Sequence, residues 1–183
     1  MAIRGGDLQP GDKVSIDQYQ STVPGRLPHT RGKEKQHLKY VGGTIFCDHA
    51  SGAIFVVHQT SLSAEASLAA KHKFERWARS HGVAKIKSYR ADNLPFNSMA
   101  WKMDIAAQGQ TIDFSGVGAH HQNGVAERSI QTISRWSRAM MIHLVLHWPD
   151  SASPDLWPFA MEHAVYIWNS VSYTHLTLPT RLR

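Results

Sequence analysis

TIFCDHASGAIFVVHQ, residues 44–59, is the stretch that decides the fold of this chain. Two runs rich in β-branched and aromatic residues, 44–49 and 53–59, flank the short segment Ala50-Ser51-Gly52, and this pattern is typical of a β-hairpin. Upstream, residues 13–20 (KVSIDQYQ) alternate as a third extended run with Asp17 at its centre. The sequence therefore predicts three antiparallel strands before any helix.

Helical periodicity starts only after this unit of strands. Over residues 63–80 the apolar positions recur at helical spacing, Glu65 lies in the first turn and Gly82 follows the end, so we predict an amphipathic helix there. The remaining predicted elements are a strand over 85–92, a helix from an Asn97 cap to about 108, a strand over 111–114, and helices over about 125–146 and 155–169. This order predicts an α/β domain with a five-stranded mixed sheet flanked by helices.

Length and charge limit the possible functions. The 183 residues are 42% hydrophobic and 19% charged, enough for one sizeable core and too few for two full domains. The chain contains twenty Lys and Arg residues and fourteen Asp and Glu residues, and the resulting formal charge of +6 suits a polyanionic partner. Much of the excess lies in a loop rich in Pro, Gly and basic residues that extends to Gly43. Its basic residues are Arg26, Arg31, Lys33, Lys35 and Lys39.

Cysteine and apolar content indicate the compartment. Cys47 is the only cysteine, which excludes a disulfide framework and CxxC zinc pairing. The longest apolar run, around 139–146, is interrupted by His143 and is too short to span a bilayer. We therefore expect an intracellular protein with no membrane partner.

Three acids carry the predicted chemistry. Asp17 lies in the first strand, Asp92 ends the fourth and Glu127 lies near the start of the long helix. Hard divalent cations prefer oxygen ligands, so acids gathered from separate elements into one cleft can hold Mg²⁺. Two such ions can activate an attacking oxygen and stabilise the leaving oxygen at a phosphodiester. Any one of these acids alone is equally consistent with a solvated surface or a helix-start carboxylate.

The segments around these acids resemble the three acidic motifs of retroviral and copia-type retrotransposon integrases, in the same order. They are VSIDQYQ (14–20), SYRADNLPFNS (88–98) and HHQNGVAERSIQT (120–132). Glu127 follows Asp92 by 35 residues, close to the spacing of that family, and NGVAER is the most specific piece. The resemblance covers roughly residues 10–170.

The resemblance implies an RNase H-like fold and a two-metal polynucleotidyl transferase. Asp17, Asp92 and Glu127 would be the catalytic, metal-binding residues, with two Mg²⁺ or Mn²⁺ ions as cofactors. The reaction would join retrotransposon DNA 3′ ends to target DNA, in the nucleus of a eukaryotic host. The partners would be element-end DNA, target DNA and further copies of the chain.

The sequence departs from the family pattern beside the acids and at both ends of the chain. Residues 93–96 read NLPF where relatives often carry Asn-Gly and an acid, and residues 120–122 read HHQ. These changes leave the three acids intact, so they bear on substrate preference more than on activity. The family's N-terminal zinc module and C-terminal DNA-binding region are not represented.

We predict DNA contacts in three places: the basic loop, the segments beside the acids, and the polar face of the long helix. They comprise Arg26, Arg31, Lys33, Lys35, Lys39, Asn93, His121, Gln122, Asn123, Arg135 and Arg138. For Arg135 and Arg138, an ordinary solvated helix face is an equal alternative.

Other functions remain open at this level. An RNase H-like nuclease that does not join strands, or an inactive DNA-binding remnant, would also carry a basic surface. His143 and His147 have zinc-ligand spacing without an evident third ligand, and Asp48 is at a turn where acids are common.

The chain is expected to divide into three parts: a lead-in over 1–11, a catalytic core over 12–170 and a tail over 171–183. VSYTHLTLPT, which begins the tail, looks like the translation of a transposase-type sequencing adapter. We therefore expect that the natural protein continues differently beyond about Ser170; a genuine C-terminal tail is the alternative.

Overall fold

The computed structural model describes residues 8–30, 33, 35, 38–92, 95–114 and 124–177, with side chains described as far as 170. The strands are β1 (Val14–Gly25), β2 (Tyr40–Asp48), β3 (Ile54–Gln59), β4 (Ser88–Ala91) and β5 (Thr111–Phe114). The helices are α1 (Ala64–Ser80), α2 (Met99–Ala107), α3 (Gly124–His147) and α4 (Trp157–Thr177), and two short 3₁₀ turns, Pro149–Ser151 and Pro154–Leu156, join α3 to α4.

The five strands form one mixed sheet in the order β3-β2-β1-β4-β5. The first three strands pair antiparallel, whereas β1 pairs parallel with β4 and β4 pairs parallel with β5. The predicted fold class, an α/β domain with a five-stranded mixed sheet that begins with three antiparallel strands, is therefore confirmed.

Side chains along the strands point alternately to the two faces of the sheet, and both faces are buried. Val14, Ile16 and Phe46 lie on one face, in a core with residues of α1 and α2. Ile45 and Cys47 lie on the opposite face, in a core with residues of α3 and α4. Successive strand side chains point to opposite sides, so a side chain's position along β1 or β4 decides which helices it faces.

β1 and β2 extend further into the predicted loop than the sequence indicated. Gly42 and Gly43 were expected to end that loop, yet both lie within β2. A Cβ at Gly42 would lie 2.2 Å from the carbonyl oxygen of Tyr19, and one at Gly43 would lie 2.2 Å from that of Val57. These glycines are therefore required by close approach of neighbouring strands rather than by a turn.

Two helix ends also differ from the prediction. Ser98, not Asn97, caps α2, because its hydroxyl accepts the backbone N–H of Trp101. α4 extends to Thr177 instead of ending near Asn169. The side chains of 171–177 are not described, so the interpretation of 171–183 as a non-native tail stays a prediction. Within the described part of the chain, no helix is long and apolar enough to cross a membrane.

Candidate active site

Asp17 and Asp92 lie next to the last register pair that joins β1 and β4. In the parallel pairing of these strands, Ile16 lies opposite Ala91. Asp17 is the next residue of β1, and Asp92 is the first residue after β4. Adjacent strands are about 4.8 Å apart, so the two acids start from neighbouring backbone positions.

The Asp17 side chain belongs to the face covered by α3. Ile16 lies in the core beneath α1 and α2, so the alternation of side chains along β1 directs Asp17 to the opposite face. α3 packs across β1 and β2 on that face, with Ala126 and Ile133 fully buried. Asp17 therefore lies on the α3 side of the sheet.

Cys47 shows how close the first turns of α3 come to Asp17. Burial raises the pKa of the Cys47 thiol to about 12; a hydrogen bond with Ser129 opposes this shift, and the nearby charges of Asp17 and Asp48 add to it. The thiol thus interacts both with Asp17 on β1 and with Ser129 on α3. Asp17 itself accepts the backbone N–H of Gln18 at 2.8 Å.

Glu127 lies two residues before Ser129, in the first turn of α3, and is partly exposed. Within the described ranges, no three His, Cys, Asp or Glu side chains form a group that could hold a metal ion. The structure therefore places Asp17 in β1, Asp92 directly after β4 and Glu127 in the helix that packs across β1 and β2, without joining the three in a metal-binding group. The segment 115–123 that leads into α3 lies outside the described residues.

The basic loop divides into two classes of side chain. At its ends, the guanidinium of Arg26 and the ammonium of Lys39 both contact the carboxylate of Asp155, at 3.1 Å and 3.3 Å. Lys33 and Lys35 are exposed. Arg31 lies outside the described residues.

The structure describes only some of the other residues that we predict to contact DNA. Arg135 and Arg138 are exposed on α3, and Arg138 lines an apolar groove of about 340 Å³ with Ile142 and Leu146. An exposed position fits a phosphate contact and a solvated helix face equally well. The predicted contacts Asn93, His121, Gln122 and Asn123 lie outside the described residues.

Two features that the sequence left open can be placed. The Asp48 carboxylate accepts the backbone N–H groups of Gly11 and Ser51, which ties the turn after β2 to the chain before β1. The rings of His143 and His147 lie 4.2 Å apart on the exposed end of α3. Asp48 is therefore accounted for by backbone contacts rather than by the cleft.

Sequence reasoning missed Asp155. It was taken only as the start of a helix, whereas it binds two cations of the basic loop, 129 and 116 residues away in sequence. A contact over such a separation leaves no periodicity or motif in the sequence. The only local sign is Ser153, whose hydroxyl donates to the same carboxylate at 2.6 Å.

Several solved structures share this fold. The HTLV-2 integrase catalytic core domain in complex with magnesium, in its trimeric form, is 18% identical with a TM-score of 0.58, covering 87% of this chain and 85% of that one. The dimeric form of the same domain is 17% identical with a TM-score of 0.59, and the match covers 89% of this chain and 88% of that one.

A chain of the simian T-cell lymphotropic virus intasome, solved in complex with PP2A regulatory subunit B56 gamma, is 14% identical with a TM-score of 0.61. The match covers 95% of this chain and 52% of that one. No protein-family model and no curated protein matches the sequence. The fold is therefore that of these retroviral integrase catalytic cores, a five-stranded mixed sheet with helices of the RNase H-like type.

Proposed function

We propose that this chain is the catalytic core of a copia-like retrotransposon integrase, which joins the 3′ ends of element DNA to target DNA. The observation that carries the proposal is the position of Asp17 and Asp92 next to the Ile16–Ala91 register pair, with α3 packed across β1. Integrase cores have the same fold, and the motifs around both acids and Glu127 resemble those of that family.

The donor chemistry fits Mg²⁺ or Mn²⁺. Asp17, Asp92 and Glu127 would supply only carboxylate oxygens, the ligand type that these hard cations prefer. When bound, two such ions activate the attacking oxygen and stabilise the leaving oxygen of a phosphodiester. The HTLV-2 core was solved in complex with magnesium, which supports the same cofactor here.

Glu127 is the ligand that must approach the pair. Because carboxylates repel one another unless a cation lies among them, we expect Glu127 to close onto Asp17 and Asp92 as metal binds. Its place in the first turn of α3 suits this movement, since the buried Ala126 and Ile133 fix the helix on the sheet.

The remaining groups would bind and orient the DNA. Lys33, Lys35, Arg135 and Arg138 are exposed cations that can neutralise backbone phosphates. Arg31, Asn93, His121, Gln122 and Asn123 remain predicted contacts. We also propose that the chain acts as a homo-oligomer in a eukaryotic nucleus; the HTLV-2 core occurs in dimeric and trimeric forms.

A joining assay tests the proposal. Purified protein is incubated with labelled element-end DNA, a target plasmid and Mg²⁺, and the products are separated on a denaturing gel. Labelled strands covalently joined to the plasmid are the expected result. Cleavage without joining would instead identify a nuclease, and binding without either product would identify an inactive remnant. Asp150→Asn, which removes an exposed acid outside the cleft, is the matched control for variants of the three acids.

A further inference from the structure

Asp155 joins the two ends of the basic loop. It lies in the 3₁₀ turn Pro154–Leu156, just before α4. Its carboxylate accepts two hydrogen bonds from the Arg26 guanidinium, at 3.1 and 3.3 Å, and one from the Lys39 ammonium at 3.3 Å. The backbone N–H of Arg26 also donates to the Asp155 carbonyl oxygen at 2.7 Å.

The position of these contacts gives them a mechanical role. Gly25 pairs with Tyr40 at the outer end of the β1–β2 ladder, and Arg26 and Lys39 are the next residues along each strand. One carboxylate therefore closes the base of the 26–39 loop. Packing supports the closure, because a Cβ at Gly25 would lie 2.5 Å from the ring of Pro158 in α4.

Burial separates these two cations from the rest of the loop. The side chains of Arg26, Lys39 and Asp155 are 31%, 20% and 15% exposed. Burial alone would raise the pKa of Asp155, but hydrogen bonds from Ser153, Arg26 and Lys39 outweigh it and hold the pKa below its ordinary value. Asp155 is thus charged at neutral pH and forms ion pairs with both cations.

We propose that Asp155 is a positioning residue for DNA binding. It holds Arg26 and Lys39 at the base of the loop, and this reduces the conformational freedom that the exposed Lys33 and Lys35 lose when they bind backbone phosphates. Asp155, Arg26 and Lys39 themselves do not contact the DNA. This inference rests on the proposed function, in which the basic loop binds DNA.

Salt dependence separates positioning from contact. Each phosphate neutralised contributes about 0.9 to the slope of log K against log salt, so the slope counts contacting cations. Ordering a loop on binding lowers affinity without changing that count. Loss of Asp155 should therefore weaken binding and leave the slope unchanged.

The experiment measures binding of the full chain to a labelled duplex of arbitrary sequence by fluorescence anisotropy, over a series of KCl concentrations and without divalent metal. For Asp155→Asn we expect several-fold weaker binding than for Asp150→Asn, at an unchanged slope. Asp150→Asn removes the same charge from an exposed site, so it corrects for the general electrostatic change. Asp155→Glu should restore much of the affinity.

Two double variants complete the test. The Arg26→Gln/Lys39→Gln variant should reproduce the affinity loss at constant slope. If Asp155→Asn fails to fold, this double variant tests the inference instead. A slope reduced by about 1.8 in that double variant, or binding by Asp155→Asn equal to that of Asp150→Asn, would overturn the inference. Lys33→Gln/Lys35→Gln should reduce the slope by about 1.8. If its slope is unchanged, the loop does not bind DNA, and that part of the proposed function fails whatever the joining assay shows.

Discussion

Two groups of acids, one on each face of the sheet, have opposite surroundings. On the α1 side, the carboxylate of Glu75, a residue of α1, is 4% exposed. It accepts hydrogen bonds from Tyr89 and Gln110 at 2.8 Å and lies beside the fully buried ammonium of Lys71. Lys71 also reaches Asp104 at 2.6 Å. On the α3 side, Asp17 lies one position beyond the last β1–β4 register pair, and another acid, Asp92, directly follows β4.

The pKa of Glu75 shows the effect of the first arrangement. Burial alone would raise this pKa, but hydrogen bonds from Lys71, Gln110 and Tyr89 outweigh it and bring the pKa below its ordinary value. Matched donors therefore keep a buried carboxylate charged within the fold. Two carboxylates brought close together repel each other, and a cation from solution would relieve that repulsion. The comparison therefore contrasts acids that hold the structure with acids that we propose bind metal.

The largest expected effect is on joining by the Asp92→Asn variant. The amide keeps the shape of the side chain but removes one negative charge and one strong metal ligand, so joined product should fall below detection. DNA binding should largely survive, because it depends mainly on basic residues elsewhere. Gel analysis of joining, with anisotropy measured in parallel, checks both. Activity close to that of Asp150→Asn would remove Asp92 from the catalytic set.

Lys71→Met should have the largest effect on stability. Methionine fills a similar volume but removes the buried cation that pairs with both Glu75 and Asp104, which keep only Arg79 at 3.8 Å and His72 at 2.9 Å as basic partners. Breaking a buried pair in this way costs about 3–5 kcal/mol. Urea unfolding measures the loss. Lys73→Met, an exposed site on the same helix, is the control and should change stability by less than about 0.5 kcal/mol. Equal stability of the two variants would show that the ionic group does not hold α1 and α2 together.

His58 extends the comparison to a buried group that is kept uncharged. Burial lowers its pKa to about 4, while a hydrogen bond to the Pro158 carbonyl acts in the opposite direction. The ring contacts the Tyr19 hydroxyl at 2.7 Å and the Pro158 carbonyl oxygen at 3.1 Å. Both contacts suit a neutral imidazole that accepts at Nδ1 and donates at Nε2. Its 3.6 Å approach to Glu162 is therefore not an ion pair at pH 7.

The pH dependence of stability follows from that neutral state. An unfolded histidine takes up a proton below about pH 6.5, whereas folded His58 does so only near pH 4. The stability that His58 contributes is complete above pH 6.5 and is lost as pH falls towards 4, by roughly 3 kcal/mol in all. Urea unfolding at several pH values should show this loss in the wild type and a flatter profile in His58→Gln. Parallel profiles for the two proteins would contradict the neutral, buried assignment.

The smallest expected effect is thermal stabilisation by Mg²⁺. A ligand that binds only the native state stabilises it by about 2.7 kcal/mol at one hundred times its Kd, which raises the Tm by about 2–4 °C for each kcal/mol. Asp92→Asn should lose most of this increase. Without metal it should melt no lower than the wild type, because it removes a repulsion. If the metal-free variant unfolds instead, Asp92 is a structural acid and belongs with Glu75 in the comparison.

The sequence by itself determined the elements and the candidate acids. The hairpin over 44–59, the periodicity over 63–80 and the strand over 111–114 each depend on interactions between residues near in sequence, so their patterns are visible in the sequence. The acids of the candidate site were found through motif resemblance and spacing, and the β1–β4 register then showed that Asp17 and Asp92 both follow the Ile16–Ala91 pair.

Only the tertiary structure decided the roles of individual loop residues, both the glycines and the basic side chains. Gly42 and Gly43 are typical of a loop until the approach of Tyr19 and Val57 is seen. Arg26 and Lys39 cannot be distinguished from Lys33 and Lys35 in the sequence, because all four are basic residues of one loop. What distinguishes them is Asp155, more than a hundred residues away. Such a contact arises from how the helices and the sheet pack together, and no local pattern encodes it.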